Sequence, residues 1–86
     1  MKTTLSFDGD TVTYALQGNL LTQDYRSQFH DNVRTTVAIP VQLSKALNET
    51  CYQLVELNKG ELFQRILDVT FHEYFDLHTM KTEKLD

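Results

Sequence analysis

From Arg34 to Ile39 the chain alternates: Thr35, Val37 and Ile39 fall on one side of an extended backbone, and Arg34, Thr36 and Ala38 on the other. The pattern predicts a short strand with one face to bury and one face free to touch something. Pro40 has no amide to donate to a ladder and presets φ for a first helical turn, so it ends the strand and starts a helix. The period then changes. Leu43, Ala46, Leu47, Cys51 (or Thr50), Leu54, Val55 and Leu57 recur at spacings of three and four, which predicts a helix from Val41 to Leu57 with a single buried stripe. Asn58-Lys59-Gly60 tolerates left-handed and capping conformations where one helix stops and the next starts, and Glu61 suits the positive end of the second helix dipole. Leu62, Phe63, Ile66, Leu67, Thr70, Phe71, Tyr74 and Phe75 mark a broader, more aromatic stripe, expected to be the central core element.

The first 32 residues carry two alternating runs around a glycine turn. Thr4 to Phe7 and Thr11 to Leu16 flank Asp8-Gly9-Asp10 and predict a β-hairpin with Leu5, Phe7, Val12, Tyr14 and Leu16 on its apolar face. Gly18-Asn19 ends the second strand. Leu21, Tyr25 and Phe29 are spaced by four, which predicts a short helix capped by Thr22 and running to about Asn32. After His78 the segment 79–86 is mostly polar and is expected to fray.

The run Arg34-Thr35-Thr36-Val37-Ala38-Ile39-Pro40-Val41-Gln42-Leu43 resembles the strand and helix start of the ribbon-helix-helix DNA-binding family, the group of the methionine repressor and Arc, and the likeness extends over residues 33–76. The resemblance implies an α+β fold: an intertwined ribbon-helix-helix homodimer with an N-terminal β-hairpin extension. It divides the chain into a hairpin and short helix over 1–32, a dimerisation and DNA-binding unit over 33–78, and the tail. In that family two chains pair their strands antiparallel and lay the ribbon in the major groove. Carried over by position, the resemblance implies base readers at Arg34, Thr36 and Ala38 and phosphate contacts at Lys59, Gly60 and Glu61, where the second helix begins. Lys45 joins Arg34 and Lys59 as a local basic patch. The family commonly caps its second helix with Ser or Thr where this chain has Gly60, which weakens that anchor.

Arg, Thr and Ala suit this chemistry. An Arg fork spans guanine O6 and N7, a Thr hydroxyl bonds several base edges, and an Ala methyl packs on thymine. A strand and two one-faced helices cannot close a core alone, which also points to an obligate dimer. Charge points the other way. The net charge of the 86 residues is −4: residues 1–32 hold two basic and four acidic side chains, residues 33–86 six and eight, so neither part is basic. Duplex binding draws on counterion release, so modest affinity per dimer and cooperative binding of adjacent dimers are expected, with Glu73, Asp76 and Glu83 far from the ribbon.

Other chemistry finds little footing. His30, His72 and His78 lack metal-ligand spacing, and Cys51, the only thiol, sits on the predicted buried stripe with nothing arranged to activate it. Asp8-Gly9-Asp10 is far short of a calcium loop, and the sequon Asn48-Glu49-Thr50 lies on a predicted helix. No apolar run reaches membrane-spanning length. The expectation is therefore a cytoplasmic, cofactor-free, non-enzymatic transcriptional repressor that binds operator DNA, autoregulates, and acts in one version as the antitoxin of a toxin–antitoxin operon. The alternative is a protein-interaction module, a toxin-neutralising or inhibitor subunit, that keeps the dimer as scaffold and engages its partner through the hairpin.

Overall fold

The computed structural model describes the backbone of residues 2–7 and the whole of residues 9–85. It is an α+β fold in two layers. Strands β1 (Lys2–Phe7), β2 (Asp10–Gln17), β3 (Leu20–Arg26) and β4 (Asn32–Ala38) are followed by helices α1 (Val41–Glu56) and α2 (Gly60–Tyr74), and then by β5 (Thr79–Leu85). All five strands form one antiparallel sheet in the order β1-β2-β3-β4-β5. The helices cover one face of it: α2 lies against β1 to β4, and α1 packs along α2.

The alternation in β4 has its expected consequence, because Thr35, Val37 and Ile39 are buried while Arg34, Thr36 and Ala38 face away from the helices, half-buried. Strand β2 shows the same period, with Val12, Tyr14 and Leu16 buried and Thr11, Thr13 and Ala15 outward. The helix-facing residues of the sheet meet Leu47 of α1 and Phe63, Leu67 and Phe71 of α2 in one core, with Tyr25, Leu43, Cys51, Leu54, Ile66 and Tyr74 packed at its margin. Burying each large apolar side chain is worth about 1.5–3 kcal/mol, so the stripe Phe63, Leu67, Phe71 fixes α2 as the element around which the layers close.

Three segments differ from the sequence expectation. Residues 21–25 form strand β3 rather than a helix: Leu21 and Tyr25 face the helices, and Phe29 sits in the following loop, 81% exposed. A two-residue turn makes this possible, with Gln17 opposite Leu20, Gly18 at φ +60° and Asn19 at negative φ, the II′ pattern that matches strand twist. Residues 79–85 are likewise a strand rather than a frayed tail; β5 pairs with β4 from Asn32 opposite Leu85 to Val37 opposite Thr79, through a bulge at Thr36/Val37. The third difference arises from the second. Strand β4 has β3 on one side and β5 on the other, so the backbone groups that a ribbon-helix-helix dimer would share with a second chain are already used. Strands β1, β2 and β3, which come from the first 32 residues, continue the same sheet. The expected apolar side chains Leu5 and Phe7, and Asp8 of the turn, lie outside what the structure describes.

The helix bounds follow the sequence pattern, but the expected buried stripes are narrower than it implied: Ala46, Val55 and Leu57 of the first and Leu62 and Phe75 of the second are exposed, because the core reaches only one side of each helix. Pro40 is the N-cap of α1 at φ −57° and ψ 141°, extended backbone that gives its carbonyl to Ser44 N at 3.0 Å. Ser44 Oγ donates to the Gly18 carbonyl and ties α1 to the β2–β3 turn. Asn58 takes φ +59° after α1, while Lys59, not Gly60, occupies the N-cap of α2.

Candidate functional site

The face of the sheet that the helices leave open gathers the residues expected to read bases. Across it run two registered rows: Thr13, Asp24, Arg34 and Glu83, and beside them Ala15, Thr22, Thr36 and Lys81. Arg34, Thr36 and Ala38 therefore share one face, as their alternation requires. With Gln17, Leu20 and Met80, the second row and Arg34 and Glu83 of the first line a shallow concavity of about 420 Å³.

The electrostatics of this face are those of closed pairs. Arg34 donates from Nε to Asp24 Oδ1 at 2.6 Å and from a terminal nitrogen to Asp24 Oδ2 at 2.7 Å, a two-point grip on one carboxylate. The hydrogen bonds to Asp24 raise the Arg34 pKa first, the attraction of that carboxylate adds to them, and Glu83 adds a further contribution. Glu83, expected far from the strand, stands directly opposite Arg34 because the supposed tail is β5. Lys81 in turn lies 3.5 Å from Glu83. A guanidinium aligned with a carboxylate has already used the fork geometry that would read guanine.

Shape adds a second obstacle to groove reading. A two-stranded ribbon enters the major groove, about 12 Å wide. Arg34 instead lies on the fourth of five strands, in a sheet about 19 Å across at the usual strand spacing of about 4.8 Å. The expected phosphate contacts are elsewhere: Lys45 is exposed on α1, and Lys59, Gly60 and Glu61 form the exposed α1–α2 connection. The sheet separates this set from Arg34, Thr36 and Ala38, so the structure does not bring the two halves of the expected site together.

On the helical layer the distribution is reversed, with apolar side chains exposed. Tyr52 is 77% exposed, Val55 62% and Val69 65%, and Val41, Leu57 and Leu62 are exposed as well. Asn48, Cys51, Tyr52 and Val55 border a concavity of about 350 Å³ on α1. Cys51 is only partly buried, at the boundary between the core and this depression. The signal was present in the sequence: Val41 and Tyr52, outside the expected stripe, together with Val55, counted within it, make the apolar arc of α1 wider than one core can cover.

A buried polar contact holds the layers in register. Tyr14, on β2 and 1% exposed, donates to Asp68 Oδ1 of α2 at 2.5 Å and accepts from Gln23 Nε2 at 3.1 Å. Burial, reinforced by the Asp68 carboxylate, pushes the Tyr14 phenol well above the usual tyrosine range. It stays a neutral donor, which suits a structural tie rather than proton transfer. Among the described residues there is no cluster of three or more His, Cys, Asp or Glu placed to hold a metal, and no helix long and apolar enough to cross a membrane.

Comparison with protein-family models, curated proteins and solved structures yields no match.

Proposed function

We propose that the chain is a protein-interaction module whose helical layer docks a partner and whose sheet is the rigid support. The observation that carries this reading is the exposure of Tyr52, Val55 and Val69 on helices whose opposite sides are buried. Large exposed apolar side chains cost solubility in a chain with no partner, and aromatic residues of this kind anchor many interfaces. The matched charges of the open sheet face add support, since a face with Arg34 and Lys81 both near carboxylates draws phosphate weakly. A toxin-neutralising or inhibitor subunit is one form such a module takes.

Site-specific photocrosslinking in the producing cell tests it. A benzophenone side chain at Val55 or Val69 is expected to give discrete covalent adducts with a second protein, and one at Thr13 or Thr36 none. Adducts from the sheet positions alone would reverse the assignment of faces.

A second reading keeps the dimeric operator-binding repressor. Its support is the common placement of Arg34, Thr36 and Ala38 on an open face. It requires β5 to leave β4, so that β4 can pair across a two-fold axis, and Arg34 to leave Asp24. Fluorescence anisotropy on a duplex from the chain's own upstream region, at two salt concentrations, decides between the readings: sequence-dependent binding lost in Arg34→Ala selects the repressor, and its absence leaves the interaction module.

A further inference from the structure

The depression on α1 has the form of a helix-packing hole. Asn48, Cys51, Tyr52 and Val55 stand at i, i+3, i+4 and i+7, the four-residue diamond into which a facing helix inserts one side chain. Asn48 is held in place by its own turn, donating from Nδ2 to the Ser44 carbonyl at 2.9 Å, so its Oδ1 is left on the rim as an acceptor. Cys51 lines the hole where α1 meets the core margin, and Tyr52 and Val55 add exposed apolar sides.

The charges around this hole are mostly of one sign. Glu49 and Glu56 lie three residues before and four residues after Tyr52, both exposed, and neither forms an ion pair among the described residues. Lys45, one turn before Glu49, is the only cation on the same flank of α1. The chain as a whole carries −4. A second copy would bring the same acidic flank and the same net charge to the contact, and so meets repulsion.

We propose that this hole receives an apolar side chain of an amphipathic helix whose flanking positions are basic. The proposal rests on the interaction-module reading and names the partner class of its helical surface. Helix-in-groove docking of this kind is read through anchors spaced by three, four and seven residues, and here Glu49 and Glu56 supply selection by charge.

The test is a titration of the 15N-labelled full chain, monitored by heteronuclear NMR, with two synthetic helical peptides. Both carry leucine at the apolar heptad positions; one has lysine at the flanking positions and the other glutamate. Saturable shifts centred on Asn48, Cys51, Tyr52 and Val55 are expected with the lysine peptide at low salt. Tyr52→Ala should weaken that binding by at least about tenfold, as for an anchor residue. Glu49→Lys combined with Glu56→Lys should weaken it about three- to tenfold and turn the preference toward the glutamate peptide, an effect that shrinks with added salt. All these side chains are exposed, so the variants keep the fold, which the spectra check directly. Equal binding of the two peptides, saturable shifts confined to the open sheet face, or no saturable shift with either peptide overturns the proposal. Shifts of the same four residues on simple dilution also overturn it, by making a second copy the occupant. Discrete crosslinks from Val69 with no peptide binding on α1 would leave the module reading standing and remove this one.

Discussion

Replacing Tyr14 by Phe isolates the polar tie between sheet and helix. The ring is buried against Phe71, with centroids 5.7 Å apart, and a phenylalanine keeps that contact. The substitution removes a hydrogen bond donated to the Asp68 carboxylate and one accepted from Gln23. Hydrogen bonds to charged groups are worth about 1.5–3 kcal/mol net. The Asp68 side chain is 48% exposed and regains water once its donor is gone, so the lower end applies. The expected destabilisation is about 1.5 kcal/mol, or about 6–12 °C in Tm for a domain of this size. Urea unfolding monitored by circular dichroism measures it. A double-mutant cycle with Asp68→Asn should return a coupling of about 1 kcal/mol between the two positions. The same variant alters the alkaline limb of stability. The unfolded chain releases the Tyr14 proton near pH 10, whereas the folded chain, with the phenol raised by burial and by Asp68, retains it. Above about pH 10 the unfolded state therefore binds fewer protons, and stability falls with rising pH by about 1.4 kcal/mol per unit from this group; below pH 10 the group contributes no slope. Tyr25, raised by its hydrogen bond to Asp10, adds a slope of the same sign that Tyr14→Phe leaves in place. A loss below about 0.5 kcal/mol at neutral pH, together with an alkaline slope unchanged from wild type, would refute the assignment of Tyr14 as the tie.

The packing sets three further outcomes. Leu67→Ala empties a fully buried position beneath the sheet and should cost about 3–5 kcal/mol in chemical denaturation, leaving the fold marginal. Asn58, at φ +59° between the helices, should lose about 1 kcal/mol on substitution by Ala and change by only a few tenths on substitution by Gly, a contrast visible in thermal melts. Arg34→Ala should leave stability nearly unchanged, because its side chain is 41% exposed and solvent screens the pair with Asp24; a large loss by calorimetry would show that the open face is covered in solution.

The parts of the fold legible in the sequence were those whose side chains face a single core. Thr35, Val37 and Ile39 alternate because one side of β4 meets α2, and the stripe from Phe63 to Phe71 repeats because one side of that helix meets the sheet. Strand β3 was obscured by Gln23, a polar residue at a helix-facing position, where it serves Tyr14. Its presence broke the alternation and left the spacing of Leu21, Tyr25 and Phe29 to suggest a helix. Strand β5 was hidden for a different reason: Lys81, Glu83 and Lys84 are the kind of residues an edge strand carries to discourage further pairing, and they read locally as a solvated tail. The strand exists because β4 offers it a template, and that is nonlocal information. The expected site failed to assemble through the same gap, since β5 occupies the edge of β4 and brings Glu83 opposite Arg34. The helical surface was open to reading in the width of the α1 apolar arc, although Val55 and Leu57 were assigned to the buried stripe and Val41 and Tyr52 were left out of it.

The position of β5 after both helices also sets the order of assembly. Strands β1 to β4 are sequence neighbours and can zip by hairpins, whereas Asn32 meets Leu85 only after the intervening helices have folded back on the sheet. Nonlocal pairings form late because loop closure precedes their reward. During that interval β4 is a temporary edge, rich in β-branched residues, and the β5 of a neighbouring molecule can complete it as well as its own. Concentrated refolding should therefore divert chains into domain-swapped dimers, closed by the same ladder as the monomer and slow to revert, while dilute refolding returns the single chain.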